Sequence, residues 1–348
     1  MEGDTILVPS FRPDLLRMAD IAEEVGRSFG YNEIPTTAFK TSTQGGYSPE
    51  MLLEAKAGAL CRGLGFSEII TYSFVSPAIF DQIRLSADSP LRNAMRIQNP
   101  LGEDTSIMRT IALPSMLEIL SRNNANHNKS VKLYELAKIY LPTEGQALPE
   151  EPKMLMLGTY GANASFFSLK GELEAVLYGL RIKKASYTAV NDNPTYHPGR
   201  CAKVTIDGVD VGVMGQIHPL VAQNYGIDAD VYCAEISFTK LFDLQLPDAT
   251  YTPLPKYPGV SRDLSLICDE AITVAQVEDV ITAAAGKLLR GVKLFDIYHG
   301  TGVPEGKKSM AFSLQLRADD RTLTDTDSEG VVSKVLAALS EKLGAILR

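Results

Sequence analysis

The 348-residue chain has few cysteines, no long apolar run and no excess of positive charge. Its four cysteines form no CxxC pair and no Cys/His cluster, which argues against a zinc site and predicts reduced thiols. No apolar run is long enough to cross a bilayer, and residues 1–4 are acidic where a signal peptide would be basic. We therefore expect a cytoplasmic protein that has no membrane segment.

The charge balance is unlike that of a typical nucleic-acid binder, because the net charge is −8. Residues 251–348 alone carry twelve Lys and Arg against thirteen Asp and Glu. Any contact with RNA must therefore come from the local placement of single basic side chains. Candidates for such contacts in this part of the chain are Arg262, Arg290, Lys293, Lys307, Lys308 and Arg317.

The length and the hydrophobic fraction of 45% suit two or three domains with cores of their own. Residues 1–38 predict a small α/β domain end, with a strand at residues 6–8 and an amphipathic helix that ends near Phe29. Residues 39–247 mix helices with hairpin-connected strands, which predicts an α+β domain around a mostly antiparallel sheet. The prolines between residues 247 and 258 predict a linker into a last domain, residues 255–348.

Three local signals organise the middle part. Ser48 and Pro114 stand where helices should begin, and an Asp207-Gly208 pair marks a hairpin turn. Residues 69–74 are strand-like, as are residues 131–141 and 154–160.

The last ninety or so residues follow the order β-α-β-β-α-β, which is the ferredoxin-like split βαβ arrangement. Capping boxes at Thr273 and Thr324 begin the two helices, and Gly286 and Gly344 end them. The strands are predicted over residues 262–268, 292–298, 309–317 and 345–348.

The alternation of side chains separates the two faces of this predicted sheet. Met310 and Phe312 should lie under the helices, whereas Ser309 should point away from them. In the preceding strand Phe295 and Ile297 are predicted to point inward. Asp296 and Tyr298 then share the uncovered face with Ser309. Hydrogen-bonding groups beside an aromatic ring suit unstacked RNA bases, although an ordinary solvated sheet face explains the same pattern.

Four segments occur in a fixed order in this part: KYPGVSRDL at 256–264, LFDIY at 294–298, GVPEGKKS at 302–309 and DRTLTD at 320–325. They resemble the anticodon-binding domain of phenylalanyl-tRNA synthetase β subunits. The resemblance covers the whole chain, which corresponds to the C-terminal half or less of the usual β polypeptide. It implies that Tyr298 stacks on an anticodon base and that Asp296 and Ser309 bond base edges. Arg262, Lys293, Lys307, Lys308 and Arg317 are the expected additional tRNA contacts.

An acidic group near the start of the chain is a candidate metal site. It consists of Asp14, Asp20, Glu23 and Glu24, and the last three share one face of the predicted helix. Carboxylate oxygens suit Mg²⁺, but acidic groups near a helix start also simply complement the helix dipole. The resemblance extends to this segment and implies that these four residues ligate Mg²⁺.

The middle part resembles the catalytic-like module of the same β subunits, which is built on the class II synthetase fold. It lacks a late glycine-rich run that closes on an arginine, and the chain has neither a GxxxxGK[ST] loop nor a GxGxxG. We therefore predict no catalytic residues. His197 and His218 each precede a proline and are interpreted as turn histidines rather than as an acid/base pair. His299 could touch RNA or cap a loop.

The resemblance implies an assembly of two α and two β chains that charges phenylalanine tRNA. ATP is bound mainly by the α subunit, and this chain alone is expected to be inactive. The helices that begin at Ser48 and Pro114 are the expected contacts with α. Two alternatives remain open: a free-standing regulatory paralogue that binds an amino acid, and a protein-interaction module whose last domain contacts no RNA.

Overall fold

The computed structural model describes residues 3, 5–40 and 45–348. The chain divides into two compact units, Met1–Pro247 and Asp248–Arg348. The further division of the first unit at residue 39 stays a prediction. Within the described ranges, each helix is too short or too polar to span a bilayer.

In the first unit the helices are α1 (Met18–Phe29), α2 (Pro49–Gly63), α3 (Ile79–Gln82), α4 (Leu113–Ala125), α5 (Phe166–Gly179), α6 (Pro219–Asn224) and α7 (Phe238–Asp243). The strands are β1 (Ser67–Glu68), β2 (Phe74–Val75), β3 (Ile107–Met108), β4 (Val131–Lys138), β5 (Lys153–Tyr160), β6 (Ser186–Ala189), β7 (Tyr196–Ile206), β8 (Val209–Ile217) and β9 (Val231–Ser237). Short 3-10 turns occupy Tyr31–Glu33, Pro90–Arg92 and Glu103–Thr105.

The leading segment forms its predicted helix but not its predicted strand. Asp20 accepts hydrogen bonds from the backbone N–H groups of Leu16 and Arg17 and so caps the start of α1. None of the residues of α1 is buried. Residues 6–8 form no strand, and their apolar side chains stay exposed. The strand prediction was wrong because an apolar run becomes a strand only where another strand pairs with it.

A seven-stranded sheet forms the centre of the first unit, in the order β1-β4-β5-β9-β8-β7-β6. β1 pairs with β4 in parallel, and the other neighbours are antiparallel. Side chains of α2 and α5 pack on one face of the sheet, and side chains of α4 and α6 pack on the other. The Asp207-Gly208 turn joins β7 to β8 with positive φ at both positions, as an Asp-Gly hairpin requires.

The predicted strand at residues 69–74 is replaced by an irregular segment between β1 and β2. Thr71 donates its backbone N–H and its hydroxyl to the carboxylate of Glu135 at 2.8–3.0 Å. Arg109 donates its backbone N–H to the Ser73 carbonyl. This prediction was wrong because a carboxylate 64 residues away in sequence takes the hydrogen bonds of a strand partner.

The second unit has β10 (Val260–Asp269), α8 (Val274–Ala285), β11 (Leu289–Tyr298), β12 (Lys307–Leu316), α9 (Asp325–Leu343) and β13 (Ile346–Leu347), with a 3-10 turn at Gly286–Leu288. Both predicted capping boxes are present, and Gly286 and Gly344 adopt positive φ at the helix ends. The strand order is β11-β12-β10-β13, with antiparallel neighbours. The predicted fold class, α+β with a terminal ferredoxin-like domain, is confirmed.

Candidate nucleic-acid interface

The pairing of β11 with β12 decides which side chains share a face. Tyr298 lies directly opposite Ser309, and Asp296 lies opposite Ala311. Directly opposed residues of an antiparallel pair point to the same side, and so do residues two apart on one strand. Asp296, Tyr298 and Ser309 therefore share one face of the sheet, as the sequence predicted.

The helices lie on the other face. Met310, Phe312 and Leu314 are fully buried against apolar side chains of α8 and α9. The face that carries Tyr298 also carries serines of β10 and β12: Ser261 lies 3.0 Å from Ser313, and Ser265 lies 3.4 Å from Ser309, hydroxyl to hydroxyl. We call this helix-free surface the serine face, defined by Ser261, Ser265, Ser309, Ser313, Asp296 and Tyr298.

The inward orientation predicted for Phe295 is wrong. A register shift between Leu294 and Asp296 leaves Phe295 without a partner on β12, and 55% of its surface is exposed. Ile297 does lie opposite Met310, on the helix side, but it is also exposed. A β-bulge of this kind adds one residue to a strand and bends it locally. Asp296 and Tyr298 therefore keep their common phase beyond the bulge, and the apolar pattern alone did not reveal the shift.

Ser309 is not bare, contrary to the sequence-based expectation, because only 3% of its surface is exposed. It is flanked by Tyr298 on β11 and by Ile267 on β10. Arg348 lies nearby: its backbone N–H donates to the Ser265 carbonyl at 2.9 Å, and its guanidinium lies 5.2 Å from the centroid of the Tyr298 ring. Tyr298 belongs to one edge strand and Arg348 follows the other edge strand, so their contact spans the two central strands, one of which carries Ser309.

Tyr298 is held at the hydroxyl end of its ring. Its hydroxyl donates to the Thr301 carbonyl at 3.4 Å, and 37% of the residue is exposed. Gly300, at φ 147°, passes so close to this hydroxyl that an added Cβ would lie 2.8 Å from it. The loop after β11 therefore holds the ring over the serine face and leaves part of it open to a ligand.

Asp296 and Lys293 are the two exposed ionisable side chains of β11 that remain available. Lys293 lies opposite Ser313 and therefore on the serine face. Neither side chain makes a hydrogen bond or an ion pair with any residue in the described ranges. A free carboxylate acceptor and a free ammonium donor thus lie on the same face as an aromatic ring. Such groups can bond a base edge and a phosphate.

The other predicted basic contacts are engaged within the unit. Arg262 lies on the helix side, opposite Leu314, and its guanidinium bonds Asp325 at 2.7 Å and Ser328 at 2.9 Å at the start of α9. Lys307 pairs with Asp269 at 2.7 Å, and Lys308 donates to the Glu270 carbonyl at 2.8 Å.

Two further residues from the sequence analysis lie in this unit. Arg317 is half-buried, and its Nε has no hydrogen-bond partner among the described residues. His299 pairs through Nε2 with the carboxylate of Glu270 at 3.1 Å, so it secures the loop after β11.

The four acidic residues near α1 are not gathered around a common point. The guanidinium of Arg12 bonds Asp14 at 2.6 Å and Glu24 at 2.5 Å, and Arg27 also pairs with Glu24. The hydrogen bond from Arg12 lowers the pKa of Asp14. The hydrogen bonds from Arg12 and then Arg27 lower the pKa of Glu24 to about 2.

The remaining two acidic residues serve elsewhere or lie apart. Asp20 caps α1, and Glu23 is exposed. No group of three or more metal-ligating side chains occurs in the described part of the chain. In this arrangement the four predicted magnesium ligands do not form an ion-binding cluster, because Arg12 bonds Asp14 and Glu24 and Asp20 caps α1.

The ionisable groups inside the first unit are used for packing. His197 and His218 each accept a backbone N–H from the residue two positions on, at 3.1 Å, which is the turn role predicted for them. Glu235 is buried and accepts the Tyr196 hydroxyl at 2.8 Å, and burial raises its pKa to about 7. All four cysteines are buried, and burial raises the pKa of Cys61 and of Cys201 to about 12.

Arg348 is the candidate site residue that sequence reasoning missed. It lies 50 positions from Tyr298 in the chain, beyond the last strand. The sequence predicted only a short final strand. In the structure that strand pairs with β10, which places the residue after it beside Ser265. Nothing in the sequence indicated that its side chain reaches the ring.

The strand order of the second unit, with both helices on one face of the sheet, defines the class of ferredoxin-like α+β domains. Residues 255–348 match the family profile described as a ferredoxin-fold anticodon binding domain. Residues 34–238 match the phenylalanyl tRNA synthetase beta chain CLM domain, and residues 2–31 match the tRNA synthetase B5 domain. The chain belongs to the phenylalanyl-tRNA synthetase β-chain family, as the sequence predicted.

Relatives named phenylalanine–tRNA ligase beta subunit match along the whole chain. The one from Clostridium tetani is 44% identical over 352 residues, which cover 100% of this chain and 44% of the relative. The one from Clostridium acetobutylicum is 42% identical and covers the same shares. The chain thus spans less than half the length of these relatives.

Among solved structures, the pyrrolysyl tRNA synthetase PylSc of Desulfitobacterium hafniense matches with a TM-score of 0.46 and 13% identity. The match covers 56% of this chain and 67% of that one. A likeness of this size carries no argument about function.

Proposed function

We propose that this chain is a non-catalytic part of a phenylalanine–tRNA ligase β subunit. It would hold the anticodon region of the tRNA and support the α subunit during ATP-dependent charging with phenylalanine in the cytoplasm. The observation that supports this most is the common placement of Asp296, Tyr298 and Ser309 on the serine face, within a unit that matches an anticodon-binding family.

Each side chain of this group has a distinct chemical part in the proposal. The Tyr298 ring stacks on an unpaired base, and the Asp296 carboxylate accepts an N–H from a base edge. The Ser309 hydroxyl can donate or accept, which adds selectivity once the base has reached it. Lys293, on the same face and unpaired within the described residues, neutralises a nearby phosphate.

The experiment is a binding measurement with the anticodon stem-loop of phenylalanine tRNA. Tyr298→Ala should weaken binding by about 1–3 kcal/mol, the usual worth of one stacked base. Tyr251→Ala is the matched control, because Tyr251 is an exposed tyrosine of the same unit that lies outside the sheet. Equal dissociation constants for the two variants would count against the proposal.

The support of an α subunit concerns the first unit. The helix that begins near Pro114 buries Pro114, Met116 and Leu117 in the chain's own core, so only its opposite face is left for such a contact. α2 keeps Met51 and Leu52 exposed. The irregular segment between β1 and β2 offers two large side chains, Ile70 at 91% and Tyr72 at 86% exposure. We therefore assign the contact to α2 and to this segment.

Assembly can be tested by mixing the chain with an α subunit and measuring the mass of the product. The proposed stoichiometry is two α and two β. Tyr72→Ser should reduce assembly, whereas Tyr178→Ser, at a similarly exposed tyrosine of α5, should not. Pyrophosphate exchange by the chain alone would contradict its non-catalytic part, because the proposal assigns ATP chiefly to the α subunit.

Magnesium has no assigned step in this proposal. Ligation by Asp14, Asp20, Glu23 and Glu24 would first require Arg12 to release two of them.

The two alternative functions remain testable by direct binding. A regulatory paralogue would be stabilised by phenylalanine without α in a thermal shift, and a pure protein-interaction module would not retain tRNA on a filter at either of two salt concentrations.

A further inference from the structure

Arg348 differs from Arg262, Arg290 and Arg321 of the second unit in what its guanidinium contacts. Arg262, Arg290 and Arg321 each pair with an aspartate at 2.6–3.0 Å. Arg348 has no carboxylate partner within the described ranges, and its guanidinium lies over the Tyr298 ring. A cation over an aromatic face is attracted by the ring quadrupole, but at an exposed site the attraction is about 0.5–1 kcal/mol. The contact is therefore easily exchanged for a stronger one.

The position of this guanidinium coincides with the place that a stacked base would need. Stacking requires access to a face of the Tyr298 ring, and Arg348 lies over that ring. A bond to the Ser309 hydroxyl requires that Ser309 be uncovered, yet it is buried. Main-chain anchoring at Ser265 fixes where Arg348 starts, whereas its long side chain can swing. One movement of one side chain would thus open both groups.

Building on the proposed anticodon role, we propose that Arg348 is a further RNA contact that changes partner on binding. In the free protein its guanidinium lies over the face of the Tyr298 ring, and the side chain covers Ser309. An incoming base displaces it from the ring, and the guanidinium then bonds the phosphate backbone beside that base. Arginine suits this exchange, because its planar cation both stacks on aromatic faces and bonds phosphate oxygens in pairs.

The first test is the salt dependence of binding to the anticodon stem-loop. Each phosphate contact on a single strand contributes about 0.7 to the slope of log K against log salt, so Arg348→Ala should lower the slope by about that amount. Arg348→Lys should keep the slope. Arg321→Ala is the control, because that arginine is paired with Asp327 and should leave the slope unchanged.

The second test needs no RNA. In a Ser309→Cys variant the new thiol should react slowly with a polar maleimide, and adding Arg348→Ala should speed the reaction severalfold. The four native cysteines are buried and give the background. Equal rates with and without Arg348 would overturn the covering of Ser309, and an unchanged salt slope in Arg348→Ala would overturn the phosphate contact. Failure of the unmodified chain to bind the stem-loop would instead overturn the anticodon role on which the inference rests.

Discussion

Arg109 and Arg348 are placed in opposite ways in the two units of the chain. Arg109 is buried in the first unit, where its guanidinium lies 2.6–3.5 Å from four oxygen acceptors: Thr71 Oγ1, the Tyr72 and Lys138 carbonyls, and Glu135 Oε1. Arg348 is exposed in the second unit and contacts a ring but no carboxylate among the described residues. One arginine is committed to the fold, and the other is available to a ligand.

The contrast extends to the polar groups around each arginine. In the first unit the carboxylate of Glu135 also accepts the backbone and hydroxyl of Thr71, so the buried charges satisfy one another. On the serine face, Asp296 and Lys293 have no partner within the described ranges. A buried charge must be paired to be tolerated, whereas an exposed charge keeps its hydration until a ligand replaces the water. The buried charges around Arg109 are thus paired, whereas Asp296 and Lys293 on the serine face stay unpaired within the described residues.

Substitution of Arg109 is the most direct test of the difference between the two arginines. Arg109→Ala leaves the Glu135 carboxylate buried without its cation, so we expect a loss of about 3–5 kcal/mol of unfolding free energy in urea titrations. Replacing both partners with apolar residues, Arg109→Met with Glu135→Leu, should recover much of that loss. Arg348→Ala should cost at most about 1 kcal/mol, since only an exposed cation–π contact is lost. Similar losses for Arg109→Ala and Arg348→Ala would remove the distinction.

The pH dependence of stability tests the buried carboxyl group of Glu235 in the first unit. Burial raises its pKa from 4.5 to about 7, so the folded chain binds this proton more tightly than the unfolded chain. The contribution of Glu235 to stability is fully present below about pH 4.5 and is lost as the pH rises through 7. Glu235→Gln should abolish this loss, which amounts to about 3 kcal/mol.

Thermal or urea unfolding of Glu235→Gln and the unmodified chain between pH 5 and 8 checks this prediction. Glu151→Gln is the control, because that carboxylate is exposed and pairs with Lys138. A stability difference between Glu235→Gln and the unmodified chain that stays constant over this range would show that Glu235 does not titrate there.

A smaller effect should separate Lys293 from Arg262, both of which the sequence predicted to contact tRNA. Lys293 is unpaired within the described residues and lies on the serine face, so Lys293→Ala should lower the salt slope of RNA binding by about 0.7. Arg262 already pairs with Asp325 on the helix side, so Arg262→Ala should leave the slope unchanged and cost less than about 1 kcal/mol of stability. The reverse pattern in filter binding would place the RNA on the other face.

The smallest expected effect concerns magnesium at the acidic residues near α1. Because Arg12 bonds Asp14 and Glu24, the unmodified chain should give little heat when Mg²⁺ is added in a calorimeter. Arg12→Ala should increase that heat. Replacing Asp14, Asp20, Glu23 and Glu24 with Ala in the same background should remove the gain. Strong binding by the unmodified chain would show that the ion displaces the guanidinium unaided.

The second unit followed closely from its sequence because its signals are local. Thr273 and Thr324 cap their helices within three residues, and glycines end them, so neither boundary depends on distant parts of the chain. The alternation along β12 correctly predicted that Ser309 and Phe312 point to different faces of the sheet. The phase of Asp296 and Tyr298 was also right, although the bulge at Phe295 was not foreseen.

The predictions that were wrong concern segments whose structure depends on residues far away in the sequence. The segment at residues 69–74 lost its strand to a carboxylate of β4, and residues 6–8 found no strand with which to pair. In each case the outcome depended on which distant group came near, and periodicity contains no such information.

The sequence alone determined the family, through short segments that occur in a fixed order. It also determined the order of the elements and the common phase of Asp296, Tyr298 and Ser309, because caps, turns and alternation act over a few residues. Tertiary structure alone decided that Arg109 is buried with Glu135, that Arg12 bonds two of the four acidic residues, and that Arg348 lies over Tyr298. Apart from the bond between Arg12 and Asp14, those outcomes join residues 12 to 50 positions apart, and only the packing of the folded chain brings such residues together.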